Sequence, residues 1–181
     1  MSIRIAIAQL NPKLGDLEAN LALYEESIRQ GIKQGADILV FPELSLTGYL
    51  LRDMVPGVAL TAKSPEVKKL TALSRELPFV AGLVEESVDH KFFNAAIYFE
   101  DGEIRHVHRK VYLPTYGMFD EQRYFARGDR VRAFDSKFGR LTLLICEDLW
   151  HPSTIYLAAL DGAVAVICPS ASPLRGVVDG Q

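Results

Sequence analysis

Five short apolar runs constrain this chain more than any other feature: Ile3 to Leu10, Ile38 to Phe41, Phe79 to Val84, Leu141 to Cys146 and Ala163 to Cys168. Each is too short for a buried helix and nearly continuous, the pattern of a strand covered on both faces rather than on one. Asn11-Pro12 ends the first run and Pro42 the second. Between them Leu17, Leu21, Tyr24, Ile28 and Ile32 recur at steps of three or four. Asp16 is placed to cap that amphipathic helix and Gly35 to stop it. Ser64-Pro65 opens another helix with Val67, Leu70, Leu73 and Leu77 on one face, and Pro152-Ser153 starts one that runs to Leu160. Phe93 to Phe99, Asp101-Gly102 and Glu103 to Val107 read as a β-hairpin. Strands alternating with helices, plus a hairpin, imply an α/β protein with a mixed sheet.

The length of 181 residues fits one domain with a sizeable core, and no repeat or linker divides it. A hydrophobic share of 49% excludes intrinsic disorder, and two cysteines exclude a disulfide scaffold. With 20 basic against 23 acidic side chains, nothing in the charge balance favours nucleic acid or an anionic membrane as a partner. No apolar stretch approaches the roughly 20 residues of a membrane helix. The first residues lack the long apolar run of a signal peptide, so the expected compartment is the cytosol, with Cys146 and Cys168 as thiols.

Three segments set a reactive side chain directly after an apolar run or hairpin. In VFPELSLTGY, Glu43 follows the second run, where carboxyl ends of strands form ligand crevices in open α/β sheets. Set among Phe41, Pro42 and Leu44, its carboxyl is expected to be partly desolvated and pushed up toward a useful base. Alone, it reads more readily as a cap or a surface ion-pair partner. In HRKVYLPTYGMFDEQRYF, Lys110 follows the hairpin and opens a connection of unusual length, from Arg109 to Asp129, which marks a functional loop. Lysine there is placed to donate to a developing oxyanion, or else forms part of a solvated strand edge. Glu121 in the same loop is placed to orient Lys110 or to bind a substrate amine. In LTLLICEDLWHP, Cys146 ends an apolar strand beside Glu147 and Asp148, whereas Cys168 precedes only Pro169 and Ser170. A thiolate beside two acids needs an offsetting cation, which Lys110 would supply.

His151, between Trp150 and Pro152, suits a loop surface better than a Cys/His dyad. His106 and His108 share a strand face, but no Cys-x-x-Cys or His-Glu-x-x-His accompanies them, so no metal site is expected. Neither a G-x-G-x-x-G nor a P-loop is present.

Taken in order, a glutamate in FPELSLTGY, a lysine in HRKVYLPTYG and a cysteine in LLICEDLW closely resemble the Glu-Lys-Cys set of the nitrilase (carbon–nitrogen hydrolase) superfamily. LPTYGMFDEQRYF with ICEDLW looks most like the glutamine-hydrolysing domains of glutamine-dependent NAD synthetases. The resemblance implies a nitrilase-like α-β-β-α four-layer sandwich over residues 1–181, incomplete at its C-terminal side relative to a full domain. It makes Cys146 the nucleophile, Glu43 the general base, Lys110 the oxyanion donor and Glu121 a second pocket glutamate. It sets Tyr49, Tyr116, Glu147, Trp150, Ser172 and, less directly by spacing, Arg175 around the substrate. It implies hydrolysis of a non-peptide amide through a thioester, with glutamine as substrate and no metal or organic cofactor. Other small-amide hydrolysis in the superfamily and a non-catalytic interaction module are the alternatives. A homo-oligomer and a synthetase domain or subunit that receives ammonia are the implied partners.

Overall fold

The protein is described over residues 2–172 by a computed structural model. β1 (Ile5–Ile7), β2 (Ile38–Val40) and β3 (Phe79–Glu86) lie parallel in one sheet. β4 (Phe92–Glu100) and β5 (Glu103–Arg109) extend it antiparallel, in the order β1-β2-β3-β4-β5. In a second sheet β6 (Ala133–Ser136) pairs antiparallel with β7 (Gly139–Leu143), which pairs parallel with β8 (Ala165–Ile167). The expected hairpin is β4-β5, and both turn residues, Asp101 and Gly102, take the positive φ that a tight two-residue turn requires.

The helices are α1 (Leu17–Lys33), α2 (Val55–Val58), α3 (Pro65–Leu73), α4 (Glu121–Tyr124) and α5 (Pro152–Leu160). Leu21, Tyr24 and Ile28 of α1 and Val67 and Leu70 of α3 bury against Leu39, Phe79, Ala81 and Phe99 on one face of the first sheet. On its other face Ile38, Val80, Ala96 and Tyr98 meet Phe134, Leu141, Leu143 and Ile167 of the second sheet. Ala158 of α5 packs beyond that, with Leu144 and Val131. The layers are therefore α-β-β-α. Asp16 caps α1 as its position predicts, accepting from Ala19 N–H at 3.0 Å. Ser64 does not use its hydroxyl this way. It sits at the cap position of α3, but Oγ accepts from Thr61 N–H in the preceding turn.

Two runs expected to be covered on both faces are edge strands. Ile5 and Ile7 of β1 are 49% and 77% exposed, and Val166 of β8 is half-exposed with Val164 just before it open to solvent. Both lie at an edge of their sheet, and the inter-sheet core is built from β2, β3 and β4 against β6, β7 and β8, with no β1 side chain in it among the described residues. β6 carries no apolar run to announce it. Asp135 and Ser136 fill half of its four residues.

Candidate active site

The three segments singled out in the sequence converge where strands of both sheets end. Glu43 lies three residues past β2, in a turn whose next residue, Leu44, has φ of 50°. Gly82 of β3 allows this turn to settle on the sheet: a Cβ there would stand 2.4 Å from Pro42 O and 2.5 Å from Leu44 N. Lys110 is the first residue beyond β5. Its N–H donates to Asn94 O at 2.9 Å and its carbonyl accepts from Gly128 N–H at 2.8 Å, so both sides of its backbone are held. Cys146 opens a 3₁₀ turn (Cys146–Trp150) after β7 with φ of 45°, a left-handed conformation that non-glycine residues adopt at some cost and that recurs at functional sites. Its N–H donates to Pro169 O at 3.0 Å, tying the turn to the segment after β8.

The Lys110 ammonium donates to Glu43 Oε1 at 2.7 Å and to Glu121 Oε1 at 2.8 Å. Lys110 and Glu43 side chains are wholly buried and Glu121 nearly so. Asn94 Nδ2 also donates to Glu43 Oε1, at 2.8 Å, and Ala171 N–H donates to Oε2 at 3.0 Å. That leaves Oε2 acceptor capacity for one further donor. Tyr49 donates its hydroxyl to Glu121 Oε1 at 2.5 Å, while Glu121 Oε2 is buried with no partner among the described residues. Burial opposes the charge on Lys110, yet the two carboxylates outweigh it and hold the ammonium above the ordinary lysine range. Burial raises the Glu121 carboxyl, Lys110 counteracting and Glu43 adding to the rise. The Cys146 thiol is pushed up to about 11, first by burial and then by the negative charge of Glu43, against which Lys110 pulls it down. Sulfur, carboxylate and ammonium thus share one electrostatic site, and the resting thiol is protonated despite the lysine.

The acids next to Cys146 in sequence are not what holds its proton. Glu147 Oε2 accepts from the Tyr116 hydroxyl at 2.8 Å, and Asp148 is fully buried in a hydrogen-bond set of its own. Tyr49 and Glu121 border a cavity of about 350 Å³, with Phe119 and Tyr124 among its walls. Glu43, Tyr49 and Ser172 border a cleft of about 940 Å³ between β1 and β8. Tyr116 is 54% exposed above Glu147. Trp150, at the far end of the cysteine turn, is 80% exposed and borders neither space. Arg175 lies outside the described residues.

A match to the family described as Carbon-nitrogen hydrolase spans residues 4–176. The chain belongs to the carbon–nitrogen hydrolase family. Among curated relatives of this hydrolase, the glutamine-dependent NAD(+) synthetase of Thermotoga maritima is 36% identical over 174 residues, which is 94% of this chain and 30% of that protein. Among solved structures, glutamine-dependent NAD+ synthetase from Acinetobacter baumannii, in complex with ADP, has a TM-score of 0.84 at 31% identity, covering 96% of this chain and 33% of that one. A variant of the amidase from Nesterenkonia sp. AN1, with acrylamide added at its active site cysteine, has a TM-score of 0.78 at 26% identity, covering 93% of this chain and 67% of that one. The chain therefore spans about a third of the synthetases it resembles and two thirds of the amidase.

Sequence reasoning on this carbon–nitrogen hydrolase missed two buried polar residues at the site. Asn94 stands alone as a polar side chain in the otherwise apolar FFNAAIYF of β4, a signal that was there to be read. Asp148 left no such signal, because beside Glu147 it looks like one of two solvated acids. The two histidines of β5 are engaged elsewhere: His106 stacks on Phe134 with ring centroids 4.6 Å apart, and His108 bonds Asp148. Burial lowers the His106 imidazole to about 4. Among the described residues, no cluster of three or more His, Cys, Asp or Glu side chains is arranged to hold a metal, and no helix is long and apolar enough to cross a membrane.

Proposed function

We propose that this carbon–nitrogen hydrolase releases ammonia from the side-chain amide of glutamine through a thioester on Cys146. The observation that carries the reading is the buried Lys110 ammonium fixed between Glu43 and Glu121 beside the Cys146 thiol. An amide is a poor electrophile, so attack by sulfur needs a base for the thiol proton and a donor for the oxyanion. Glu43 takes the proton as sulfur bonds to the amide carbon. Lys110 and the Glu147 backbone N–H meet the oxyanion. The C–N bond then breaks, and Glu43 returns the proton to the departing nitrogen as ammonia. Water activated by Glu43 adds to the thioester, the C–S bond breaks, and glutamate leaves with the thiol restored. Glu121 holds Lys110 in place, Tyr49 and Ser172 face the substrate from the walls of the site, and Tyr116 and Glu147 flank it.

Likeness to glutamine-dependent NAD(+) synthetases supports glutamine as the amide and a synthetase domain or subunit as the receiver of ammonia. Likeness to an amidase supports a smaller amide as the second reading. Residues 1–181 supply part of one hydrolase domain, covering two thirds of the amidase's length, in a cytosolic homo-oligomer. The test is ammonia release from glutamine, ω-amides, N-carbamoyl amines and simple aliphatic amides, each with wild type and Cys146→Ala. Preferred turnover of glutamine that Cys146→Ala abolishes without unfolding is expected. Preference for another amide replaces glutamine with that substrate, and full activity of Cys146→Ala overturns the mechanism.

A further inference from the structure

The Asp148 carboxylate is fully buried and has every acceptor position filled from the two chain segments that carry Lys110 and Cys146. Oδ1 accepts from Val111 N–H at 3.0 Å and Tyr112 N–H at 2.8 Å, the two amides directly after Lys110. Oδ2 accepts from Ile145 N–H at 3.1 Å, the amide directly before Cys146. Oδ2 also meets His108 Nε2 at 2.8 Å, and His108 lies two residues before Lys110 on the end of β5. From the other side, Thr154 of α5 donates its hydroxyl to the Asp148 carbonyl at 2.7 Å, holding the turn that presents the carboxylate.

We infer that Asp148 and His108 form a positioning pair that sets the separation between the Lys110 ammonium and the Cys146 sulfur. The inference rests on the reading of Cys146 as nucleophile and Lys110 as oxyanion donor. Lys110 and Cys146 come from different sheets, and neither side chain bonds directly to the other's segment. Lysine reaches its place on a flexible four-carbon stem, so its backbone must be fixed for its ammonium to be fixed. One carboxylate bonded to the amides flanking both residues does that. A displacement near 1 Å of a group that meets transition-state charge lowers turnover by about 10²-fold while leaving ground-state binding nearly as it was. A buried carboxylate serving stability alone would have no need of donors from these two segments in particular.

The test compares His108→Leu, which removes one donor, with His108→Gln, which keeps an N–H aimed at Oδ2, and with Asp148→Asn. Two rates are read on the intact protein: amide turnover, and alkylation of Cys146 by iodoacetamide near pH 8.5 with Cys168 as internal reference. For His108→Leu, kcat is expected to fall by about tenfold or more with KM within about twofold. Its Cys146-to-Cys168 alkylation ratio drops as well, because the cation that lowers the thiol pKa has moved off. His108→Gln restores most of both. Asp148→Asn, whose amide NH₂ faces two donors, loses more; if it does not fold, the His108 variants decide alone. A lowered melting temperature in His108→Leu with kcat and alkylation ratio unchanged overturns the inference and leaves the pair a stabilising one. If wild type turns over no amide at all, the functional proposal fails, and the alkylation ratio still reports whether the pair positions Lys110.

Discussion

The Lys110 ammonium stands 2.7 Å from Glu43 Oε1, and both side chains are shut away from solvent. Lys110 also serves Glu121, so one cation neutralises part of the charge of two buried carboxylates. Removing one member of such a set leaves uncompensated charge in a low-dielectric interior, which is far costlier than never having built the pair. Lys110→Met keeps the length and drops the charge. It is expected to lower stability by about 3–5 kcal/mol, read from the urea midpoint, and to abolish amide hydrolysis. A midpoint equal to that of wild type would show that the carboxylates do not depend on this lysine.

Glu121 sets a pH dependence of definite sign. Burial raises its carboxyl above the ordinary 4.5, so just above that pH the folded protein holds a proton that the unfolded chain has released. Stability from this residue is therefore full below pH 4.5 and declines as pH rises through the folded value. Glu121→Gln retains an oxygen for Lys110 and Tyr49 but has no proton to lose. Urea midpoints of the two proteins between about pH 4 and 8 are expected to diverge as pH rises, wild type losing ground to Glu121→Gln. Parallel curves would mean that Glu121 is solvated like a surface carboxyl.

Gly82 and Gly57 make a matched pair of glycines with opposite expectations. A Cβ on Gly82 would press into the backbone beneath Glu43, with Pro42 O at 2.4 Å, whereas one on Gly57 in α2 meets nothing within 4 Å. Gly82→Ala is expected to cost about 1–3 kcal/mol through overpacking and to reduce turnover further by tilting Glu43. Gly57→Ala is expected to be neutral or stabilising by about 0.4–1 kcal/mol, since it restricts the unfolded chain. Thermal melts and initial rates on both variants check this. Equal behaviour of the two would remove the claim that Gly82 seats the Glu43 turn.

The sequence disclosed the site where chemistry and chain order coincide, and lost it where the partners are distant. Glu43 and Cys146 each follow a run apolar enough to be a strand, and Lys110 follows a hairpin with a strong turn signal, so their strand-end positions were readable. Their electrostatics were read less well. The expected neighbours of the thiol, Glu147 and Asp148, are adjacent in sequence, but the carboxylate that acts on it is Glu43, 103 residues away by number (146 − 43). Asp148 turns inward because the His108 and Val111–Tyr112 donors arrive from another sheet, which no local pattern encodes. The misjudged burial of β1 and β8 has the same origin. Apolar runs report a preference for cover, and whether a run lies in the middle of its sheet or at its edge is decided by strands that pair from elsewhere in the chain.

Glu43→Gln is expected to move two reactions of the same sulfur in opposite directions. In the resting site the Cys146 thiol is held at about 11, with the Glu43 charge second only to burial among the causes. Neutralising residue 43 removes that charge while Lys110 stays, so the thiol pKa falls. Simple alkylation by iodoacetamide, whose rate follows the thiolate fraction, accelerates at fixed pH by about tenfold for each unit of fall. Amide hydrolysis behaves otherwise, because its barrier includes transferring the thiol proton onward to the leaving nitrogen. Without the carboxylate there is no group to carry it, and turnover drops by about 10²–10⁴-fold. Measuring both rates on one preparation separates the two roles of Glu43, as electrostatic neighbour and as proton carrier. A parallel loss of alkylation and hydrolysis would mean that Glu43 governs the reactivity of the sulfur itself, and the assignment of a protonated resting thiol would have to be abandoned.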